Sequence, residues 1–461
     1  MNKYQKFLEN KKLVDIPTGF SIDKKQLNNK LIDFQKDCVI WSLKRGRSAL
    51  FEDCGLGKTF QQLEWSRLVH EETKKPILIL APLSVARQSK QEGKKFNIEV
   101  NICESQDDII NGINITNYEK IHKFDTSKFI GIVLDESSCL KSYSSKYRTL
   151  LIQLFCKTPY RLCCTATPSP NDFMELGNHA EFLSIMSRSE MLSMFFINDT
   201  GDTGTWRLKK HAIKDFWEWV CSWSVLIQKP SNLGYNDNGF ILPPIEFHEH
   251  IIKSNVKPKN SLGLLAYEAK TLSERRQAKR DSLPLRTDKA AEIINKSKGQ
   301  WIVWCNLNVE SEQLKLKIND SVEVKGSDTE DHKINSAENF VNGSQKVLIS
   351  KSTIFGFGMN WQHCHNVMFV GLSDSYEEYY QAIRRCWRFG QENKVDVHII
   401  SSESEGAIVK NIKKKEEYAQ QMIEGMLSAM SPISSKLIRG AEQTITEYNP
   451  EIEMELPEWL K

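Results

Sequence analysis

The chain has 461 residues, more than one hydrophobic core ordinarily organises, so two packed domains with an appendage are expected. Charged residues make up 26% and hydrophobic ones 40%, which excludes an extended disordered polymer, and a net charge of +3 is too small to mark a nucleic-acid binder unless Lys and Arg gather locally. No apolar run approaches the ~20 residues that span a bilayer, the start MNKYQKFLENKK has no signal-like apolar core, and the 11 cysteines contain no C-x-x-C pair; a cytoplasmic protein with reduced thiols and no membrane partner is expected.

In chain order, residues 31–183 alternate short aliphatic runs (SALF, PILILAP, NINITNY, FIGIVLDE) with helical stretches such as Thr59 to about Glu71, the pattern of a parallel sheet with crossover helices. Residues 171–235 break it with Phe, Met and Trp at helical spacing, which reads as a helical insertion or bridge. Alternation resumes after Pro244 with QWIVWCN, VEVKG, KVLISK, NVMFVG and VDVHIIS, and with helical segments such as YEEYYQAIRRCWRFG. A Lys/Glu-rich helix from about Gly406 and an acidic tail close the chain. His363, Cys364 and His365 form a tempting HCH metal motif; adjacent strand residues face opposite ways and no second ligand cluster follows, so the start of a strand is the better reading.

Three segments carry chemistry. FEDCGLGKTF follows an apolar run and opens a helix, the setting of a triphosphate cradle. Gly55 and Gly57, with Leu56 between them, let backbone N–H groups close on phosphate oxygens. Lys58 reaches the β- and γ-phosphates, and the Thr59 hydroxyl suits Mg²⁺. Glu52 stands where the broad pattern has its first Gly. FIGIVLDESS sets Asp135 to hold Mg²⁺ through its outer shell and Glu136 to polarise the attacking water; without the phosphate loop these two acids would read as a helix cap and first turn. In QAIRRCWRFGQ, residues 381, 384, 385 and 388 recur at helical spacing, so one helical face carries Gln381 with Arg385 and Arg388. A guanidinium delivered across a cleft neutralises charge on a transferred phosphoryl group. An Arg-rich helix solvated at the surface is the competing reading.

With these motifs in place the chain resembles superfamily-two helicases, more closely Swi/Snf-type DNA translocases and their small phage-borne and restriction-associated forms. The resemblance runs from about Leu31 to Gln391. LIDFQ resembles the adenine-reading segment and implies Gln35 against the base. CTATP implies that Thr165 and Thr167 couple hydrolysis to domain movement, and GFGMNW gives the same role to Gly356, Gly358 and Asn360. APLSVARQ and ITNYEK imply a nucleic-acid face with Pro82, Ser84, Arg87, Thr116 and Tyr118. Two positions depart from the family: Arg384 stands where motif six has Gly, and Thr353 where motif five commonly has Arg.

The resemblance implies an α/β fold of two tandem RecA-like parallel-sheet domains with a helical insertion between them. The expected units are an ATP-binding domain over 1–183, an insertion over 184–240, an arginine-finger domain over 241–425 and a tail over 426–461. It implies ATP and Mg²⁺ as cofactors, sequence-independent DNA, most readily duplex, as partner, and the cytoplasm of a bacterium, with a phage gene as one source the resemblance allows. Catalysis falls to Lys58, Glu136, Gln381, Arg385 and Arg388. An RNA-unwinding relative and a nucleotide-gated protein that moves nothing are the alternatives. The Trp/Lys-rich stretch around Trp217 and Trp219 and the basic segment SERRQAKR could extend a phosphate-tracking groove, although aromatics at helical spacing are more often core.

Overall fold

In the computed structural model the described residues are 17–82, 85–141, 146–170, 172–198, 206–252, 280–355, 359–373, 375–402 and 406–438. They form two parallel sheets. The first has the order β3-β4-β2-β5-β6-β1-β9, with β1 at Arg47–Glu52, β2 at Ile77–Ala81, β3 at Asn101–Ile102, β4 at Ile113–Asn117, β5 at Gly131–Asp135, β6 at Tyr160–Thr165 and β9 at Ser224–Ile227. A short antiparallel hairpin, β7 (Phe196–Asn198) with β8 (Trp206–Leu208), stands apart. The second sheet has the order β10-β15-β14-β11-β13-β12. Its strands are β10 at Ile245–Ile252, β11 at Trp301–Cys305, β12 at Ser321–Val324, β13 at Val347–Lys351, β14 at Asn366–Val370 and β15 at Val395–Ser402.

The aliphatic runs explain why these strands lie inside. Every residue of β2 and β11 is buried, as expected of parallel strands covered by helices on both faces. Sequence and structure agree on two tandem parallel-sheet units. Three details differ. The segment after Asn171 is mostly helical, yet it returns β9 to the edge of the first sheet, beside β1. Trp217 and Trp219 are 4% and 6% exposed and pack with Phe195 and Phe216, so they are core and not a platform for bases. The helix expected through Arg388 ends at Ile383, and the chain continues in tight turns to Gly390, whose φ is +87°. HCH precedes β14, with Cys364 inside the second core and His363 against Phe340.

A long helix, Gly406–Ile438, leaves β15 and returns toward the first sheet. Ile412 and Ala419 join the second core while Met426 joins the first. One element therefore has an apolar stake in both units. Among the described residues no helix is long and apolar enough to cross a membrane.

Candidate active site

The strand ends β1 and β5 and the turns after the helix Tyr376–Ile383 converge on an open cleft between the two sheets. Its lining includes Gly55, Gly57, Lys58 and Thr59 from one side, Asp135 and Glu136 from the strand end, and Asn360, Arg385 and Arg388 from the other side. Residues far apart in sequence thus meet around one space.

The phosphate loop is held from beneath. Gly55 and Gly57 have φ of +93° and +88°, values that favour glycine. Gly57 caps the helix Lys58–Thr73, and its carbonyl accepts from Phe60 N at 3.1 Å and Gln61 N at 3.2 Å. Lys58 Nζ donates to the carbonyls of Glu52 at 2.6 Å and Asp53 at 3.1 Å. The side chain of Gln35 does not line the cleft: Nε2 donates to Leu56 O at 2.8 Å, and Oε1 accepts from Ile32 N at 3.2 Å. A Cβ on Gly57 would lie 2.2 Å from Gln35 Nε2. Gln35 therefore supports the loop through Leu56 and Ile32, and beyond these two bonds its amide keeps one N–H and one carbonyl lone pair.

Asp135 Oδ1 accepts from Gln62 Nε2 at 2.8 Å. Glu136 adopts the left-handed conformation at φ +59°, uncommon for a non-glycine residue, and its Oε1 accepts from the hydroxyls of Thr165 and, at 3.2 Å, Ser138. Burial raises both carboxyls above their ordinary range; the Thr165 hydrogen bond and Lys58 partly offset this at Glu136. Two adjacent half-buried acids near a lysine form a donor set suited to a hard divalent cation.

Across the cleft, Arg385 and Arg388 each donate Nη1 to Met359 O at 3.3 Å. Burial, then the neighbouring Arg385, brings Arg388 down to about 10, still cationic at neutral pH. Gln381 is buried at 1% and neither of its amide atoms has a partner among the described residues; it does not line the cleft. Asn360 does. Gly356 and Gly358 lie outside the described residues.

Thr165 and Thr167 connect the two sides. Thr167 N donates to Thr165 Oγ1 at 3.0 Å, and Thr167 Oγ1 to Glu377 Oε1 at 3.4 Å, while Lys141 pairs with the other oxygen of Glu377. Sequence reasoning missed Glu377, Lys141 and a second junction. Arg384 donates to Asp53 Oδ2 at 2.6 Å and to Cys54 O at 2.9 Å, and the Tyr380 hydroxyl donates to Asp53 Oδ1 at 2.6 Å. Phe389 packs over Gly55, where an added Cβ would meet its backbone N at 2.9 Å, and its ring lies 4.9 Å from Phe240. The only signal in sequence was Arg384 itself, the departure from motif six.

The described members of the expected nucleic-acid set differ in burial. Pro82 lines the cleft, Ser84 lies outside the described residues, and Thr116 is 1% exposed inside β4. Tyr118 donates its hydroxyl to Asp135 O at 2.8 Å. Arg87 is exposed and stands 3.7 Å from Glu330 of the second unit. Thr116 is corrected because β4 is buried along its whole length, whereas Tyr118 is half-buried with its hydroxyl on the end of β5. SERRQAKR lies outside the described residues except for Arg280.

An SNF2-related domain model matches residues 34–196, and a helicase conserved C-terminal domain model matches residues 286–390. The chain is 27% identical over 162 residues to the human DNA annealing helicase and endonuclease ZRANB3, covering 31% of this chain and 15% of that protein. It is 25% identical over 210 residues to the Arabidopsis thaliana CHD3-type chromatin-remodeling factor CHR7, covering 40% and 17%. The chain thus spans under a fifth of the length of these curated relatives. Among solved structures it is similar to the Sulfolobus solfataricus SWI2/SNF2 ATPase core in complex with dsDNA. The TM-score there is 0.42 at 19% identity, with 92% of this chain and 98% of that one covered.

Proposed function

We propose that this chain, a superfamily-two helicase-like protein of the Swi/Snf type, is an ATP-driven motor that tracks along duplex DNA. The observation that supports hydrolysis is the convergence of Lys58, Thr59, Asp135 and Glu136 with Arg385 and Arg388 around one cleft. DNA as the track is supported by relatives whose names are those of a DNA annealing helicase and a chromatin-remodeling factor.

The residues divide the work as follows. N–H groups of the loop and first helical turn receive the triphosphate, and Lys58 turns from the Glu52 and Asp53 carbonyls to its β- and γ-oxygens. Thr59 and Asp135 would hold Mg²⁺, which supplies positive charge to those oxygens. Glu136, steadied by Thr165, takes a proton from the attacking water; burial keeps its carboxylate basic enough for that task. Arg388 and Arg385 offset charge on the phosphoryl group in transit, and ADP and phosphate leave.

Movement follows from where those groups sit. The path Glu136–Thr165–Thr167–Glu377 joins the hydrolytic base to the second unit, so a change at the γ-phosphate position alters an inter-unit contact. Alternate closing and opening, with a different grip on the strand in each state, gives steps in one direction.

Steady-state ATP turnover measured alone and with duplex DNA, single-stranded DNA and RNA tests the proposal. Duplex DNA should stimulate most, and the protein should displace a triplex-forming strand from a duplex. Turnover indifferent to every nucleic acid would sink the motor, and stimulation by RNA alone would replace the track.

A further inference from the structure

β10 and β15, the first and last strands of the second sheet, carry a cluster that the proposed ATPase does not use. They run parallel with Glu246 beside Asp396 and His248 beside His398. By the two-residue period of a strand, Glu246, His248 and His250 share one face with Asp396 and His398. His248 Nε2 lies 2.8 Å from Asp396 Oδ1, and His250 Nε2 lies 3.0 Å from His398 Nδ1. The rings of His248 and His398 stack at 4.5 Å. One ligand-type atom from each of Glu246, His248 and Asp396 lies within 4.8 Å of the other two.

We propose that Glu246, His248 and Asp396 form a binding site for one divalent transition-metal ion of the Zn²⁺ class. Ligands about 2.0–2.2 Å from such an ion stand roughly 3–4 Å apart, within side-chain rotation of the present positions. Two carboxylates balance the ion's charge, and the imidazole favours Zn²⁺ or Co²⁺ over Mg²⁺ or Ca²⁺. His398, held by His250 and stacked on His248, fixes the ligand ring from behind. Lys394 now supplies the positive charge: its Nζ lies 2.6 Å from Glu246 Oε2 and 3.0 Å from Asp396 Oδ1. Half exposed on a flexible stem, that ammonium can swing into solvent, so the ion and Lys394 compete for the same carboxylates. The ion would staple two strands whose ligands are 148 residues apart in the chain.

Eleven free cysteines could also take up such ions, so the test uses Co²⁺, whose absorption separates thiolate from nitrogen and oxygen ligands. The metal-free full chain is titrated with Co²⁺ and then Zn²⁺, and Zn²⁺-dependent shifts in melting temperature are read alongside. One equivalent should bind without thiolate charge-transfer absorption and be displaced by Zn²⁺. His248→Gln and Asp396→Asn should each weaken binding by more than about tenfold and lose the melting shift. Lys394→Ala, which disturbs no buried packing, should tighten binding several-fold. Retained ATP turnover reports that the variants fold. Absence of Co²⁺ binding, binding with thiolate absorption only, unchanged affinity in His248→Gln, or unchanged affinity in Lys394→Ala overturns the site and leaves an ordinary ion-pair network.

Discussion

Arg384, from the second sheet's unit, places Nη2 2.6 Å from Asp53 Oδ2 in the phosphate loop, and the pair is 3% and 15% exposed. Burial is the largest single influence and works against the guanidinium's charge, but Asp53, Tyr380 and Cys54 together outweigh it and hold Arg384 above its ordinary range. Tyr380 takes the other carboxylate oxygen, so the loop that would hold phosphates is tied to the opposite unit by two side chains four residues apart. Glycine, usual at this place in the resembled family, could make no such tie.

Removing that tie should loosen closure more than it harms folding. Arg384→Ala leaves the Asp53 carboxylate in a closed cleft without its cation, held only by the Tyr380 hydroxyl and the Cys54 N–H, a loss that costs up to about 3–5 kcal/mol unless the units separate and water reaches the carboxylate. Expected outcomes are a larger radius of gyration by small-angle scattering and ATP turnover at least ~10-fold lower. A double-mutant cycle with Asp53→Asn should give a coupling of about 1.5–3 kcal/mol. Additive losses would show that the two residues act separately.

The base assignment makes a different demand. Glu136→Gln keeps the shape and the Thr165 contact but cannot accept a proton, so turnover should fall by roughly 10²–10⁴-fold while ATP binding persists. Lys58→Ala should lose both turnover and affinity. An active Glu136→Gln protein refutes the base.

Much of this was legible in the sequence where local chemistry and local geometry coincide. Gly55, Gly57, Lys58 and Thr59 fall together on one loop and helix start, and Asp135 and Glu136 on one strand end, so contiguous letters place them. β10 was not legible, because His, Glu and Phe replace the aliphatic alternation that marks a strand. β9 was hidden by its Trp-rich neighbour helix. Arg384 with Asp53, and Thr167 with Glu377, depend on how two units close, which periodicity within one segment cannot encode. The same limit applies to Gln35, whose bonds to Leu56 and Ile32 tie it to the loop across 21 residues of sequence.

Arg388 should behave as a transition-state residue. Arg388→Ala is expected to lower kcat by about 10³–10⁵-fold with a much smaller change in nucleotide affinity. Arg385, whose Nε also donates to Gln381 O at 3.0 Å, is anchored more firmly to its own turn. Its alanine variant should therefore also lose thermal stability. Equal losses in kcat and affinity for Arg388→Ala would reduce it to a binding group.

Glu52 gives a pH signature. Its carboxyl lies fully buried beneath the loop, accepts from Gln61 Nε2 at 2.7 Å, and has one oxygen without a partner among the described residues. Burial raises it to about 7, with Lys58 and Gln61 pulling the other way. In the unfolded chain it titrates near 4.3. Between those values the folded protein binds the extra proton, so this group's contribution to stability falls as pH rises from about 4.3 through about 7 and is flat above. The loss is on the order of 3 kcal/mol. Glu52→Gln keeps an acceptor for Gln61 and removes the titration. Urea unfolding of the first unit between about pH 5 and 8 should therefore lose stability with rising pH in the native chain and much less in the variant. The variant should be the more stable of the two at the upper end. Parallel pH profiles would mean that Glu52 is ionised throughout, held by Lys58 as a buried ion pair.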